Sequence, residues 1–89
     1  MVSGNITIVE KNGLHMRPAK KICHTAGNYM CKIHLVTGKT NVNAKSLLNV
    51  LGAGIKEKAS VQIVCDGEDE AEALTAVMKV LSDLNIKEN

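Results

Sequence analysis

The 89-residue chain is 45% hydrophobic and 22% charged, ordinary values for a globular protein that argue against disorder. This length suits one domain over residues 1–89, with a single sheet-plus-helix core and no room for a cleft between two domains. A formal net charge of +2 is too small to point to nucleic acid or an anionic membrane, so any electrostatic effect has to be local.

Taken in chain order, Ile6 and Ile8 alternate with Asn5 and Thr7, the period of a half-buried strand. Lys11-Asn12-Gly13 breaks that pattern. From Met16 the apolar positions become Ala19, Ile22, Cys23 and Ala26, a helical stripe, with Arg17, Lys20, Lys21 and His24 towards the other side. Gly27-Asn28 reads as a left-handed C-cap. Ile33 and Leu35 restore the strand period, Gly38-Lys39 marks a turn, and a short strand centres on Val42. Ala44-Lys45-Ser46 opens a short second helix carrying Leu47, Leu48, Val50 and Leu51, ended by Gly52 and Gly54. Val61, Ile63 and Cys65 form a last strand closed by Asp66-Gly67. A final helix comes next, with Asp69 and Glu72 at capping-box spacing and Leu74, Val77, Met78 and Leu81 on one face.

The order βαββαβα predicts an α+β protein: a four-stranded antiparallel sheet with its three helices on one face. A ferredoxin-like sheet shares the first six elements, and periodicity does not separate the two strand orders. No apolar run reaches the ~20 residues of a membrane span. The N-terminal residues lack a signal-peptide profile, so no membrane insertion and a cytosolic location are expected. Cys23, Cys31 and Cys65 are odd in number and lack C-x-x-C spacing, so buried free thiols are expected. Together with His15, His24 and His34 they show none of the usual ligand spacings, and neither a metal nor a cofactor is expected.

The chemistry concentrates in Gly13-Leu14-His15-Met16-Arg17-Pro18-Ala19. Pro18 fits the first turn of a helix, where its missing N–H is one that the helix leaves unused. The N–H groups of Met16 and Arg17 then stay free at the positive end of the helix dipole. An imidazole, a guanidinium two residues on and a helix N-terminus make a small site for a phosphoryl group on histidine nitrogen. His24 and His34 have no such surroundings and read as surface or strand residues.

Asn12-Gly13-Leu14-His15-x-Arg17-Pro18-Ala19, followed by Ala44-Lys45-Ser46-Leu47, resembles the HPr family, histidine-containing phosphocarriers of the bacterial phosphoenolpyruvate:sugar phosphotransferase system. The resemblance spans essentially the whole chain and holds two motifs in register. It implies the HPr-like open-faced sandwich, with strand order 1-4-2-3. It also implies that His15 accepts phosphate on Nδ1 from enzyme I and passes it to the A domains of sugar-specific enzymes II, with Arg17 assisting. The chain is then a monomeric carrier rather than an enzyme, and nothing in it suggests an autonomous kinase or hydrolase.

Ser46 reads locally as an N-cap. The resemblance adds phosphorylation of this serine by an HPr kinase, with binding to a catabolite control repressor. Met16, Lys20, His24, Leu47, Leu48 and Leu51 are expected to form a docking patch for transient partners, with Arg17 and Lys45 as basic surroundings. Met16 departs from the small residues common at its position in the family. A second reading is a paralogous phosphocarrier with a mainly regulatory role in carbon or nitrogen metabolism. A βαββαβ nucleic-acid module is disfavoured, because Tyr29 is the sole aromatic available for stacking.

Overall fold

The computed structural model describes residues 1–87. Its elements run β1 (Val2–Thr7), α1 (Met16–Ala26), β2 (Lys32–Thr37), β3 (Thr40–Asn43), α2 (Leu47–Gly52), β4 (Ser60–Asp66) and α3 (Glu70–Lys87). The strands form one antiparallel sheet in the order β1-β4-β2-β3. This is the strand order implied by the family resemblance, and it excludes the ferredoxin-like alternative.

Side-chain alternation decides which face of the sheet the helices cover. Ile33 and Leu35 on β2 and Val61, Ile63 and Cys65 on β4 are fully buried, whereas Lys32, Ser60 and Asp66 are exposed. The helices close that inner face with Pro18, Ala19, Ile22 and Ala26 from α1, Val50 from α2, and Ala73, Val77 and Leu81 from α3. Burying each large aliphatic side chain contributes roughly 1.5–3 kcal/mol. The outer face, with Ser3, Asn5 and Thr7 on β1, is left to solvent.

Glycine carries the turn between β2 and β3. Gly38 has φ +56 and Lys39 keeps a negative φ, the pattern of a two-residue hairpin turn in which the first central residue needs the left-handed region.

Three local expectations are corrected. Gly27 lies in the right-handed helical region (φ −64, ψ −16), so α1 ends through hydrogen bonds from Gly27 N–H to Cys23 O and Asn28 N–H to Thr25 O, without a left-handed cap. Cys23 is half-buried, while Cys31 and Cys65 are buried as free thiols. Burial pushes all three thiols up, with Cys31 at about 11 through burial and its contact with Asp69, so they stay protonated. The third correction concerns Asp69. Its carboxylate does not form a capping box with Glu72; it accepts from Met30 N–H (2.8 Å) and Cys31 N–H (2.9 Å) at the start of β2. Glu70 instead reaches back to Gly67 N–H at 3.0 Å.

These two backbone donors hold the Asp69 carboxyl below the usual carboxylate range, Met30 contributing most. A depressed folded-state value means that the contribution is present above the unfolded value, about 3.9, and is lost as pH falls through the folded one. Asp69→Ala is expected to melt at a lower temperature than the parent at neutral pH, and the gap is expected to narrow as pH falls below the unfolded carboxylate value of about 3.9. Thermal melts of both proteins across that range check it, and a gap independent of pH would contradict the assignment.

Candidate functional site

The loop from β1 to α1 carries the histidine, and it is held by backbone contacts with the segment between α2 and β4. Ile8, fully buried, donates to Ala59 O at 2.9 Å and accepts from Lys58 N–H at 2.7 Å. Lys58 turns there in the left-handed region, at φ +73. On the far side of the loop, Leu14 N–H donates to Ile55 O at 2.9 Å. Gly13, at φ +64, lies flat against the same segment: a Cβ there would overlap the Ile55 carbonyl oxygen and stand 2.8 Å from Lys56 Cα. Leu14 and Ile55 are both buried beneath this contact.

His15 is the N-cap of α1, in an extended conformation at φ −79, ψ −169. Its carbonyl accepts from Ala19 N–H at 3.0 Å, which starts the helical ladder. The imidazole makes no capping hydrogen bond and is exposed, so both ring nitrogens remain available to a partner. Pro18 sits at the third helical position, inside the first turn, and its buried ring packs into the core. The N–H groups of Met16 and Arg17 have no acceptor among the described residues. The Arg17 side chain is likewise exposed and makes no hydrogen bond or ion pair among those residues.

Two depressions meet at the imidazole. One, of about 200 Å³, is lined by Glu10, His15, Arg17, Pro18, Lys21 and Leu84. The other runs along α1 past Met16, Arg17, Lys20 and Lys21. The spacing in the sequence expects His15 and Arg17 together, and both residues line each depression. It gives no sign of Glu10, Lys21 and Leu84, because a wall assembled from a loop, a helix and the end of a third element leaves no spacing to read.

The other expected residues occupy different places. Met16 is 48% exposed beside His15, and Lys20 is exposed one turn further along α1. His24 is exposed in the last turn of α1 and lines neither depression. On α2, Leu48 is 82% exposed, whereas Leu47 and Leu51 are half-buried against the core and Val50 anchors the helix. Ser46 is the N-cap of α2; its Oγ accepts from Asn49 N–H at 3.2 Å and from Asn49 Nδ2 at 2.9 Å. Lys45 is not a free basic neighbour of the patch, since its ammonium donates to Tyr29 O at 2.6 Å. His34 lies on the outer sheet face with Nδ1 2.8 Å from Asn41 Oδ1.

Among the described residues no cluster of His, Cys, Asp and Glu is arranged to hold a metal ion, and no helix is long and apolar enough to cross a membrane. The arrangement at His15 offers an exposed ring nitrogen as nucleophile, two backbone donors and a guanidinium for an anion.

A family model described as the PTS HPr component phosphorylation site matches residues 2–83. The HPr structure from Thermoanaerobacter tengcongensis is 30% identical, with all of both chains covered and a TM-score of 0.93. The histidine-containing phosphocarrier protein of a mycoplasma is 28% identical, covering 94% of this chain and 96% of its own, at a TM-score of 0.92. Phosphocarrier protein HPr from Bacillus anthracis is 29% identical over 90% of this chain and 95% of its own, at 0.83.

The close approach at Gly13 gives a direct test of how the loop is held. Gly13→Ala is expected to cost at least about 2 kcal/mol, because the methyl meets backbone and the residue needs positive φ. Denaturant unfolding measures it, with Gly38→Ala as the comparison, since nothing lies within 4 Å of a Cβ there. Equal losses in the two variants would show that the packing against Ile55 is unimportant.

Proposed function

The chain belongs to the HPr family of phosphotransferase-system phosphoryl carriers, and from that membership we propose that His15 accepts a phosphoryl group from phospho-enzyme I and delivers it to the A domains of sugar-specific enzymes II. The observation that carries this reading is the unpartnered imidazole at the head of α1, beside the free N–H groups of Met16 and Arg17 and the Arg17 guanidinium.

In the forward step Nδ1 of His15 attacks phosphorus, and a new N–P bond forms as the donor's bond to phosphorus breaks. The phosphoryl oxygens then lie against the helix N-terminus, where Arg17 adds a charge-assisted donor. Together these groups supply about 1–3 kcal/mol at an exposed site. That scale suits a carrier, because a stronger grip would hinder the second transfer. Met16, Lys20, His24, Leu47, Leu48 and Leu51 form the docking surface in this reading, and the exposure of Met16 and Leu48 supports it most directly. Small interfaces of this kind favour fast release.

Ser46 is the regulatory position in the same reading, modified by an HPr kinase and then read by a catabolite control repressor. A phosphate on its Oγ would meet the positive end of α2 and add about −1.5 to −2 charge at pH 7.

His15→Ala is expected to abolish uptake of acid-labile phosphate from phosphoenolpyruvate and enzyme I, with a stability change within about 0.5 kcal/mol. Mass spectrometry of the intact protein reads the phosphate. Uptake that persists, at His24 or His34, would sink the assignment.

Ser46→Asp separates fold from function by sign. A carboxylate at this N-cap accepts the same Asn49 N–H, so stability should hold or rise by up to about 1 kcal/mol. Transfer from enzyme I should slow, because the added charge opposes docking of the adjacent Leu48 on an acidic partner. Melting curves and initial rates on one sample decide it. A rate unchanged at low salt, where charge effects are largest, would leave Ser46 as a helix cap alone.

A further inference from the structure

β1 is an edge strand, so the peptide groups on one of its sides have no neighbouring strand. At residues 7–9, where the strand gives way to the histidine loop, one side chain from the far end of α3 takes that place. Asn85 Nδ2 donates to Thr7 O at 2.9 Å, and Asn85 Oδ1 accepts from Val9 N–H at 2.9 Å. On the other side the intervening Ile8 is bonded to Lys58 and Ala59. The segment is therefore clasped from both edges, by β4's approach on one and by a single amide on the other. The side-chain amide offers a donor and an acceptor in the order in which a neighbouring peptide would present them. A carboxylate offers acceptors alone, and an ammonium or guanidinium donors alone, so the contact needs an amide.

The clasp bears on the site through the next residues of the loop. Val9 leads into Glu10, which walls the depression beside His15, and Gly13 N–H closes the turn onto Glu10 O at 2.9 Å. Leu84, the residue before Asn85, lines the same depression. His15 itself is fixed by α1; the opposite wall is fixed at one end by Leu14 on Ile55 and at the other by Asn85.

We propose that Asn85 is a positioning residue for the phosphoryl-acceptor site: its amide holds Val9, and with it the adjoining Glu10 wall, beside the N-terminus of α1 and so restricts the orientations open to the His15 ring. This rests on the reading of His15 as the acceptor. The hydrogen bonds of Asn85 go to Thr7 and Val9 and to none of the docking residues, so its loss acts on transfer within the encounter rather than on the encounter itself.

The test compares Asn85→Ala, Asn85→Asp and Asn85→Gln with the parent, at a temperature where all four are fully folded. In Asn85→Ala the Val9 amide should exchange roughly tenfold faster or more, while the Ile33 and Ile63 amides, deep in the sheet, keep their protection. The His15 ring resonances should shift in the same variant. Its kcat as acceptor from phospho-enzyme I should fall about three- to tenfold, with KM for the protein unchanged. Asn85→Asp, which retains the acceptor for Val9 and loses the donor for Thr7, should lie between Ala and the parent. Asn85→Gln, with both groups on a longer stem, should recover part of the rate. Unchanged Val9 exchange and His15 resonances in Asn85→Ala would overturn the proposal, as would a lower melting temperature with kcat unaltered. If the parent takes no phosphate from phospho-enzyme I, the acceptor reading falls, and the exchange and ring resonances still judge the clasp.

Discussion

The hydrogen bond from Leu14 N–H to Ile55 O, with bare Gly13 pressed against the same segment, ties the histidine loop to the chain between α2 and β4. The bonds of Ile8 with Lys58 and Ala59 join the same two segments at the start of the loop, and the Gly13–Leu14 contact does so at its end, beside the histidine. Because Gly13 has no side chain, the two backbones meet at a distance that any other residue would forbid. Leu14 is thereby driven into the core and His15, its neighbour, outwards to solvent. The first turn of α1 then begins at the surface, with its free N–H groups facing outwards while Pro18 and Ala19 are buried behind them. The exposed imidazole is thus a consequence of a buried backbone contact.

That geometry keeps the site at the surface. The imidazole and guanidinium are exposed and unpartnered, and no buried polar group converges on them. Water reaches each group, so charge effects there are small compared with those in an enclosed active site. For a group that must be handed on, modest stabilisation is an advantage: each added kcal/mol on the loaded state would become part of the barrier to the next transfer.

Much of this was legible in the sequence, for reasons that differ by element. Strand and helix periods located the seven elements, because the core-facing residues Ile33, Leu35, Val61, Ile63, Val77 and Leu81 alternate or recur at spacings fixed by the backbone. His15, Arg17 and Pro18 were legible because they lie within a single turn. Periodicity did not separate the strand orders, since antiparallel pairing in either order uses the same inward residues; the family resemblance implied the order that the sheet has. The roles of Asp69, Lys45 and Asn85 were also out of reach. Each reaches a backbone group across 16 or more positions of sequence, and such a contact has no period. Gly27 misled because glycine after a helix permits a left-handed residue without requiring one.

The small net charge hides an uneven distribution. Lys11, Arg17, Lys20, Lys21, Lys56 and Lys58, more than half of the eleven basic side chains, lie on the histidine loop, α1 and the α2–β4 segment bonded to that loop, with Glu10 and Glu57 as the acids among them. Asp66, Glu68, Asp69, Glu70 and Glu72, more than half of the nine acids, lie where β4 turns into α3. The 7-residue β4 runs from one group to the other, placing them roughly 20 Å apart along the strand. At physiological ionic strength the two ends are therefore felt separately, being further apart than the ~8 Å screening length. An approaching anionic surface meets the stronger attraction at the histidine end, because at the other end the acids outnumber the Met1 ammonium, 3.0 Å from Glu70, and Lys32, opposite Asp66 in the sheet. Asp69 and Glu70 are also held by backbone donors, which shows that the acidic end is built into the fold as well as into the field. The turn that secures β2 to α3 thus places negative charge away from His15, where it would oppose binding of an anion.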